Sequence, residues 1–106
     1  LFMSKNNEII SGSIDNTIKI WDITTGLLKR ILGGHNNSVL SLIINKNDEL
    51  ISGSQDNTIK IWNMETGECK KTLIGHNNSI RAMAISENNY LFSGSDDGTI
   101  RIWKFL

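Results

Sequence analysis

The side chains best suited to chemistry in this sequence are a histidine, a serine and an aspartate. His35, Asp56 and a strand serine are the residue types of a hydrolytic triad, in which an aspartate orients a histidine and the histidine takes a proton from a serine hydroxyl. The set recurs 41 residues later as His76 and Asp97 with the matching serine. Active sites seldom occur once per structural unit, so the recurrence favours a structural role over a catalytic one.

The residues around this set repeat with the same period. Residues 11–22, 52–63 and 93–104 share the pattern Ser-Gly-Ser-x-Asp-x-Thr-Ile-(Lys/Arg)-Ile-Trp, and a Gly-His pair at 34–35 returns at 75–76. A fixed period of this length indicates supersecondary units that bury their apolar surface by stacking on neighbours. The chain holds about 2.6 such units. The predicted units are approximately residues 1–33, 34–74 and 75–106.

Within one period the pattern predicts four short strands and no helix. Residues 38–44 form a nearly continuous apolar run, as in a strand covered on both faces, and 49–54 follows after a polar turn. Residues 58–62 are rich in β-branched and aromatic types. Residues 68–74 are more polar, which is typical of an outer edge strand. Asparagine in the turns, and Gly67, supply left-handed conformations. The chain is therefore predicted to be all-β and antiparallel.

Composition argues against several kinds of partner. Lys plus Arg and Asp plus Glu both number 11, so no net charge attracts nucleic acid or an anionic membrane. No apolar stretch reaches membrane-spanning length. The two histidines and the single cysteine have no metal-ligand spacing, and no cofactor motif is present. Cys69 alone allows no intrachain disulfide, which favours a reducing, cytoplasmic or otherwise intracellular location.

The Gly-His pair and the repeated pattern ending in Ile-Trp resemble the WD-repeat (WD40) β-propeller family over the whole chain. Only Trp21 is followed by a literal aspartate, since Asn63 and Lys104 take that place in the other copies. The resemblance implies propeller blades of four antiparallel strands in an incomplete ring. It also implies a buried, hydrogen-bonded tetrad of histidine, serine, aspartate and tryptophan in each blade, which suits the need of buried polar groups for partners.

The tetrads follow from motif position in that family. The resemblance assigns one tetrad to His35, Ser52, Asp56 and Trp62, the next to His76, Ser93, Asp97 and Trp103, and a partial one, whose histidine would precede residue 1, to Ser11, Asp15 and Trp21. Ser54 and Ser95 remain alternatives to Ser52 and Ser93, because the pattern does not determine which serine points inward.

Function is then expected where the units differ. In the resembled family, the residue before the tetrad aspartate and those opening the inner strand line a rim that docks partners. The candidate partner-binding residues are Ser38, Leu40, Gln55, Ser79, Arg81 and Asp96. The prediction is a non-enzymatic scaffold that binds protein or peptide partners, with no metal or cofactor.

The phase of the repeat sets an expectation about the ring. Residues 1–3 align with 42–44, so the chain begins inside an inner strand, and it ends after the third strand of its last unit. An open arc exposes two apolar faces. The first expectation is therefore a C-terminal fragment whose remaining blades complete the propeller. The alternatives are closure by head-to-tail association of several copies, or a regulatory or lectin-like segment of a multidomain enzyme.

Overall fold

Antiparallel strands make up the protein. The structure is a computed structural model that describes residues 2–3 and 6–104, and these residues form strands and turns without a helix, which confirms the all-β prediction. The strands are β1 (Phe2–Met3), β2 (Glu8–Gly12), β3 (Ile18–Asp22), β4 (Leu28–Leu32), β5 (Val39–Ile44), β6 (Leu50–Ser54), β7 (Thr58–Asn63), β8 (Glu68–Ile74), β9 (Ile80–Ile85), β10 (Tyr90–Ser95) and β11 (Ile100–Lys104).

The strands form three sheets, each with its strands in chain order. The first sheet contains β1 to β4, the second β5 to β8, and the third β9 to β11. Each strand pairs antiparallel with the next within its sheet. The four strands predicted for the second unit are confirmed to within one residue at each end. The predicted place of Leu1 in the first strand lies outside the described residues.

Asparagine supplies most of the left-handed turn positions outside glycine. Asn16 and Asn57 occupy the same place in successive units and have the same φ of 74°. Asn7, Asp48 and Asn89 also have positive φ. These residue types tolerate that conformation because the short polar side chain bonds locally, which confirms the sequence prediction.

The sheets stack in chain order. We call the face that a sheet turns toward the next sheet its forward face, and the face that it turns toward the preceding sheet its rear face. The forward face carries Ile18 and Ile20 in the first sheet, and these side chains are buried against the next sheet together with Leu50 and Trp62. Leu50 and Trp62 define the rear face of the second sheet. The same contact recurs one period later, where the forward face of the second sheet packs on the rear face of the third. Its residues are Ile59 and Ile61 against Ile80 and Leu91.

The inner strand β5 belongs to both contacts. Leu42 and Ile44 pack toward the first sheet, whereas Ile43 packs toward the third. Alternate side chains of a strand point to opposite faces, so a strand with neighbours on both sides is apolar throughout. This confirms the interpretation of residues 38–44 as a strand covered on both faces.

The forward face of the third sheet has no neighbour. Ile100 and Ile102 are the equivalents of Ile59 and Ile61, yet they are 75% and 65% exposed. Among the described residues the arrangement of sheets is therefore open, as the sequence predicts.

Close stacking needs glycine in the second strand of a sheet. A Cβ built on Gly53 would lie 2.6 Å from Ser41 Oγ and 2.7 Å from Ile80 Cγ2. At the equivalent Gly94 the same Cβ meets only the Ala82 carbonyl oxygen, at 4.0 Å. The contrast arises because the next sheet covers Gly53 and leaves Gly94 open.

We expect Gly53→Ala to lower the free energy of unfolding by about 1–3 kcal/mol, since the added methyl overpacks the contact between sheets. Gly94→Ala is the matched control, and it should leave stability unchanged or raise it by about 0.5–1 kcal/mol. Urea denaturation followed by tryptophan fluorescence measures both. Equal losses in the two variants would contradict this explanation.

Candidate functional site

A chain of hydrogen bonds links the four polar side chains assigned to the second sheet. Trp62 Nε1 donates to Ser52 Oγ at 2.8 Å. Ser52 Oγ lies 2.6 Å from His35 Nε2, and His35 Nδ1 lies 2.8 Å from Asp56 Oδ2. Ser52 and Trp62 come from adjacent strands, whereas His35 comes from the segment after β4. The structure thus brings together residues from the second sheet and from the segment that joins it to the first sheet.

With a neutral imidazole, the donors in this chain have only one consistent order. The ionised Asp56 carboxylate can only accept, so the His35 proton lies on Nδ1 and is donated to Asp56. His35 Nε2 then accepts from the Ser52 hydroxyl, whose oxygen accepts from the Trp62 indole N–H. Every buried polar atom of the set has a partner in this arrangement, which is the condition for burying it at low cost.

The environment keeps the aspartate ionised and the histidine neutral. Burial raises the pKa of Asp56, but hydrogen bonds from Thr58, the Asn36 amide and His35 outweigh burial and lower that pKa to about 2. Burial lowers the pKa of His35, and the opposing effect of Asp56 is smaller. The ring therefore stays neutral at pH 7.

The third sheet repeats this geometry. His76 Nδ1 lies 2.9 Å from Asp97 Oδ2, and His76 Nε2 lies 2.7 Å from Ser93 Oγ. Trp103 Nε1 donates to Ser93 Oγ at 2.9 Å. Hydrogen bonds from Thr99 and the backbone hold the pKa of Asp97 well below its usual range.

The first sheet satisfies its aspartate without a histidine. Trp21 Nε1 donates to Ser11 Oγ at 3.1 Å, as in the other sheets. Asp15 instead accepts from the Thr17 hydroxyl at 2.6 Å and from Lys19 Nζ at 3.2 Å. The hydrogen bonds from Thr17 have the largest effect in holding the pKa of Asp15 well below its usual range.

The second serine of each unit has a different contact. Ser54 Oγ donates to the Ser38 carbonyl at 2.8 Å and accepts from the Asp56 amide at 3.0 Å. Ser95 Oγ accepts from the Asp97 amide at 3.1 Å. These serines shape the turn ahead of the aspartate, and in the described residues it is Ser52 and Ser93 that contact the histidines.

The arrangement is poorly placed for nucleophilic chemistry. Ser52 and Ser93 are fully buried, and each oxygen is already flanked by an indole and an imidazole. A nucleophile needs a reacting carbonyl about 3–3.5 Å away, for which there is no room. Within the described residues no group of histidine, cysteine or carboxylate side chains is arranged to hold a metal.

The candidate rim residues lie at the end of the sheets that carries the β2–β3, β6–β7 and β10–β11 turns. Arg81 Nε donates to Asp96 Oδ2 at 2.9 Å across this end, and both side chains are exposed. Ser38, Leu40 and Gln55 are half-buried. Ser79 is buried, so its side chain does not belong to an accessible surface, although its sequence position suggests that it does.

One rim residue was absent from the sequence prediction. Ile14 occupies the position of Gln55 and Asp96 in the first unit and is 88% exposed. The alignment of the three units contains the signal that would have found it, because an isoleucine stands there where the other units have polar residues.

The opposite end carries a polar cleft of about 680 Å³ between the first and second sheets. Lys29 Nζ lies 2.7 Å from Glu8 Oε2 on one wall. The equivalent pair, Lys70 and Glu49, lies on the other. These pairs were not predicted. Their partners are 21 positions apart, and only the strand register, which the sequence pattern does not give, brings them together. The lysines of these pairs are about half exposed, and solvent screening keeps the contribution of each pair small.

We expect Ser52→Ala to lower the free energy of unfolding by about 1–3 kcal/mol, because it leaves buried donors and acceptors on Trp62 and His35 without partners. Ser11→Ala is the control, since Ser11 bonds a half-exposed tryptophan and no histidine. Chemical denaturation compares the two, and an equal or larger loss for Ser11→Ala would contradict the argument.

We also expect stability to fall as the pH drops from 7.5 to 5.5. The unfolded chain protonates His35 near the ordinary histidine pKa of 6.5, whereas the folded chain, in which burial lowers that pKa, resists the proton. Asp56 stays ionised in both states over this range and loses its contribution only below its unfolded pKa of 3.8. His35→Gln should therefore flatten the pH dependence of the unfolding free energy, while Ser11→Ala retains it. An unchanged slope in His35→Gln would refute the assignment.

The chain is similar to known proteins in both sequence and fold. The family model described as WD domain, G-beta repeat matches residues 1–22, 26–63 and 67–104. The chain is similar to the crystal structure of the WD40 beta propeller domain of Doa1, with a TM-score of 0.90 and 30% identity over 95% of this chain and 34% of that one. It is also similar to the computationally designed Ika4 protein, with a TM-score of 0.82 and 36% identity over 95% of this chain and 62% of that one.

The chain therefore spans about a third of the Doa1 chain and less than two thirds of the Ika4 chain. The likeness confirms the predicted propeller blades in an incomplete ring. Within the described residues no helix has the length and hydropathy needed to cross a bilayer. With three repeat matches over nearly its whole length, this chain belongs to the WD40 repeat family.

Proposed function

We propose that the chain is a non-enzymatic platform that holds a protein or peptide partner on its rim. WD40 repeats generally serve as protein-interaction scaffolds. The observation that supports the proposal here is the division of polar residues. In the second and third sheets the recurring histidines and serines are buried and hydrogen-bonded within their sets, whereas residues that differ between the sheets lie together at one end, where Arg81 and Asp96 are exposed. We define the docking rim as Ile14, Leu40, Gln55, Arg81 and Asp96.

Backbone hydrogen bonds between sheets and within them hold the docking rim in place. The Val39 amide donates to the Ser13 carbonyl at 3.1 Å, and the Gln55 amide donates to the Ser38 carbonyl at 2.9 Å. The Asp96 amide donates to the Ser79 carbonyl at 3.1 Å. Because the turns are already ordered, a partner loses little of its binding free energy to fixing them.

The chemistry of the docking rim suggests what the partner carries. Ile14 offers an exposed apolar side chain in the first sheet, and Arg81 offers guanidinium N–H groups beyond the one that Asp96 accepts. Arginine binds carboxylates through paired N–H donors. We therefore infer a peptide segment that combines an apolar side chain with a carboxylate.

The proposal includes an intracellular setting and a place in a larger assembly. Cys69 is a free, exposed thiol. Such a thiol is compatible with a reducing compartment, where it would stay unoxidised.

The test is selection of peptides from a random phage-displayed library on the immobilised chain, followed by affinity measurement on synthetic peptides. We expect the selected peptides to contain the apolar and acidic pair. Arg81→Glu should weaken their binding about tenfold or more, because it replaces attraction of the carboxylate with repulsion. Lys46→Glu, with the same charge change in the β5–β6 turn at the other end, should leave binding unchanged.

A charge-swapped double variant separates docking from stability. Arg81→Asp combined with Asp96→Arg keeps the ion pair but exchanges its charges, so the fold should be retained while the selected peptides bind less well. Two results would show that the docking rim is not the binding surface. One is that no peptide is selected, and the other is that the double variant binds the selected peptides as tightly as the wild type and Lys46→Glu do.

A further inference from the structure

Two asparagines in the segments that join the sheets lie against the backbone group that can attack their side chains. We propose that Asn37 and Asn78 are sites of spontaneous deamidation, and that the modification loosens the docking rim. The reaction depends on the chain alone, whereas its effect on partner binding rests on the proposed function.

In both segments the asparagine side chain lies beside the amide of the serine that follows it. The Ser38 amide donates to Asn37 Oδ1 at 2.8 Å, and the Ser79 amide donates to Asn78 Oδ1 at the same distance. This contact closes a small ring of atoms, which keeps the angle at the oxygen well below linear, and the C=O bond is about 1.2 Å long. The amide nitrogen is therefore about 3–3.5 Å from the side-chain carbon Cγ, the separation of two atoms that are placed to react.

These are the two atoms that join in deamidation. The serine amide nitrogen loses its proton to hydroxide and bonds to Cγ, while the bond from Cγ to Nδ2 breaks and Nδ2 takes up a proton and leaves as ammonia. Water then opens the five-membered imide that has formed. Hydrolysis of the bond between nitrogen and Cγ gives aspartate. Hydrolysis of the bond between nitrogen and the backbone carbonyl carbon gives isoaspartate, in which the main chain runs through Cγ.

Both sites are accessible to the water and hydroxide that the reaction consumes. Asn37 and Asn78 are exposed. The residue that follows each of them is a serine, which carries a single heavy atom on Cβ and so crowds its own amide nitrogen less than a β-branched residue does.

Asn16, Asn57 and Asn89 each precede an amide that is hydrogen-bonded to another group. After Asn16 and Asn57 the amide belongs to a threonine and donates to the aspartate two residues earlier, at 3.0 Å and 2.9 Å. After Asn89 the Tyr90 amide donates to Ser86 Oγ at 3.1 Å. These asparagines provide controls within the chain, because the nitrogen that would have to attack them is bonded elsewhere.

The main chain at the first site supports a turn of the docking rim. Ser54 Oγ donates to the Ser38 carbonyl at 2.8 Å and lies 3.1 Å from the Asn37 carbonyl oxygen. The Gln55 amide donates to the same Ser38 carbonyl at 2.9 Å. Isoaspartate lengthens the main chain between these two carbonyls by one methylene, so the bonds to the turn cannot all be kept.

The second site supports the next turn in the same way. Ser95 Oγ donates to the Asn78 carbonyl at 3.1 Å, and the Asp96 amide donates to the Ser79 carbonyl at 3.1 Å. Isoaspartate at either site therefore displaces a turn that carries a docking-rim residue, Gln55 in one case and Asp96 in the other.

The reaction is tested by incubating the folded chain in mildly alkaline buffer and mapping its peptides by mass spectrometry, with fragmentation that distinguishes isoaspartate from aspartate. We expect Asn37 and Asn78 to be converted about tenfold or more faster than Asn16 and Asn57. A following serine favours deamidation in any conformation, so the same incubation in guanidinium chloride measures the preference due to sequence alone. The preference should be larger in the folded chain, and an equal or smaller one would overturn the proposal.

The effect on the docking rim is tested with two double variants. Asn37→Gln with Asn78→Gln blocks the reaction, because the longer side chain would have to close a six-membered ring, which forms far more slowly. Asn37→Asp with Asn78→Asp carries the charge of the product without the additional main-chain atom. We expect incubation to weaken binding of the selected peptides about threefold or more in the wild type, as for one lost hydrogen bond. The glutamine variant should be unaffected by incubation, and the fresh aspartate variant should bind as the fresh wild type does.

Hydrogen exchange gives a second measurement that needs no peptide. The amides of Gln55 and Asp96 should exchange faster after incubation of the wild type, because their acceptors have moved, and should be unchanged in the glutamine variant. Unaltered exchange and binding in a chain that contains isoaspartate would refute the effect on the docking rim, as would equal changes in the glutamine variant. Because the masses and the exchange rates are measured without a partner, they decide this proposal even if the proposed function fails its own test.

Discussion

The protein depends on the burial of one sheet by the next. Each sheet carries apolar side chains on both faces, so no sheet can cover its own, and the pairs of isoleucines in β3 and β7 become buried only through a neighbour. Glycine at Gly12 and Gly53 allows the inner strand of the following sheet to approach closely. Stability is therefore a property of contacts between sheets, as expected for repeat proteins.

The hydrogen-bonded histidine sets add a second constraint within this apolar stack. Each set ties a linker to the sheet that follows it, through His35 in one case and His76 in the other. Several donors to the carboxylate offset the cost of burying it, and each chain of hydrogen bonds runs on through the serine to a tryptophan. The same residue types that resemble a catalytic triad thus form a closed network with no accessible serine oxygen.

Sequence reasoning reached the fold because the fold repeats. The period, the turn residues and the apolar pattern of β5 each indicate the same antiparallel unit, and the family resemblance supplied the positions of Ser52 and Ser93. The rim was harder to predict. Ser79 is polar and follows a linker, yet packing of the sheets buries it, and no local pattern encodes that direction. The pairs of Glu8 with Lys29 and Glu49 with Lys70 were missed because they depend on strand register.

The equivalence of the two stacking contacts also bears on how such a chain can change length. Gly12 approaches Val39, and Gly53 approaches Ile80, residues that lie one period apart. Loss of one 41-residue segment would bring Gly12 against Ile80, and duplication would insert a further contact of the same kind. Gene duplication and deletion in whole periods therefore leave each remaining contact between sheets with the same residue types. A change by any other length would move the histidine, serine and tryptophan out of register, and their hydrogen bonds would be lost.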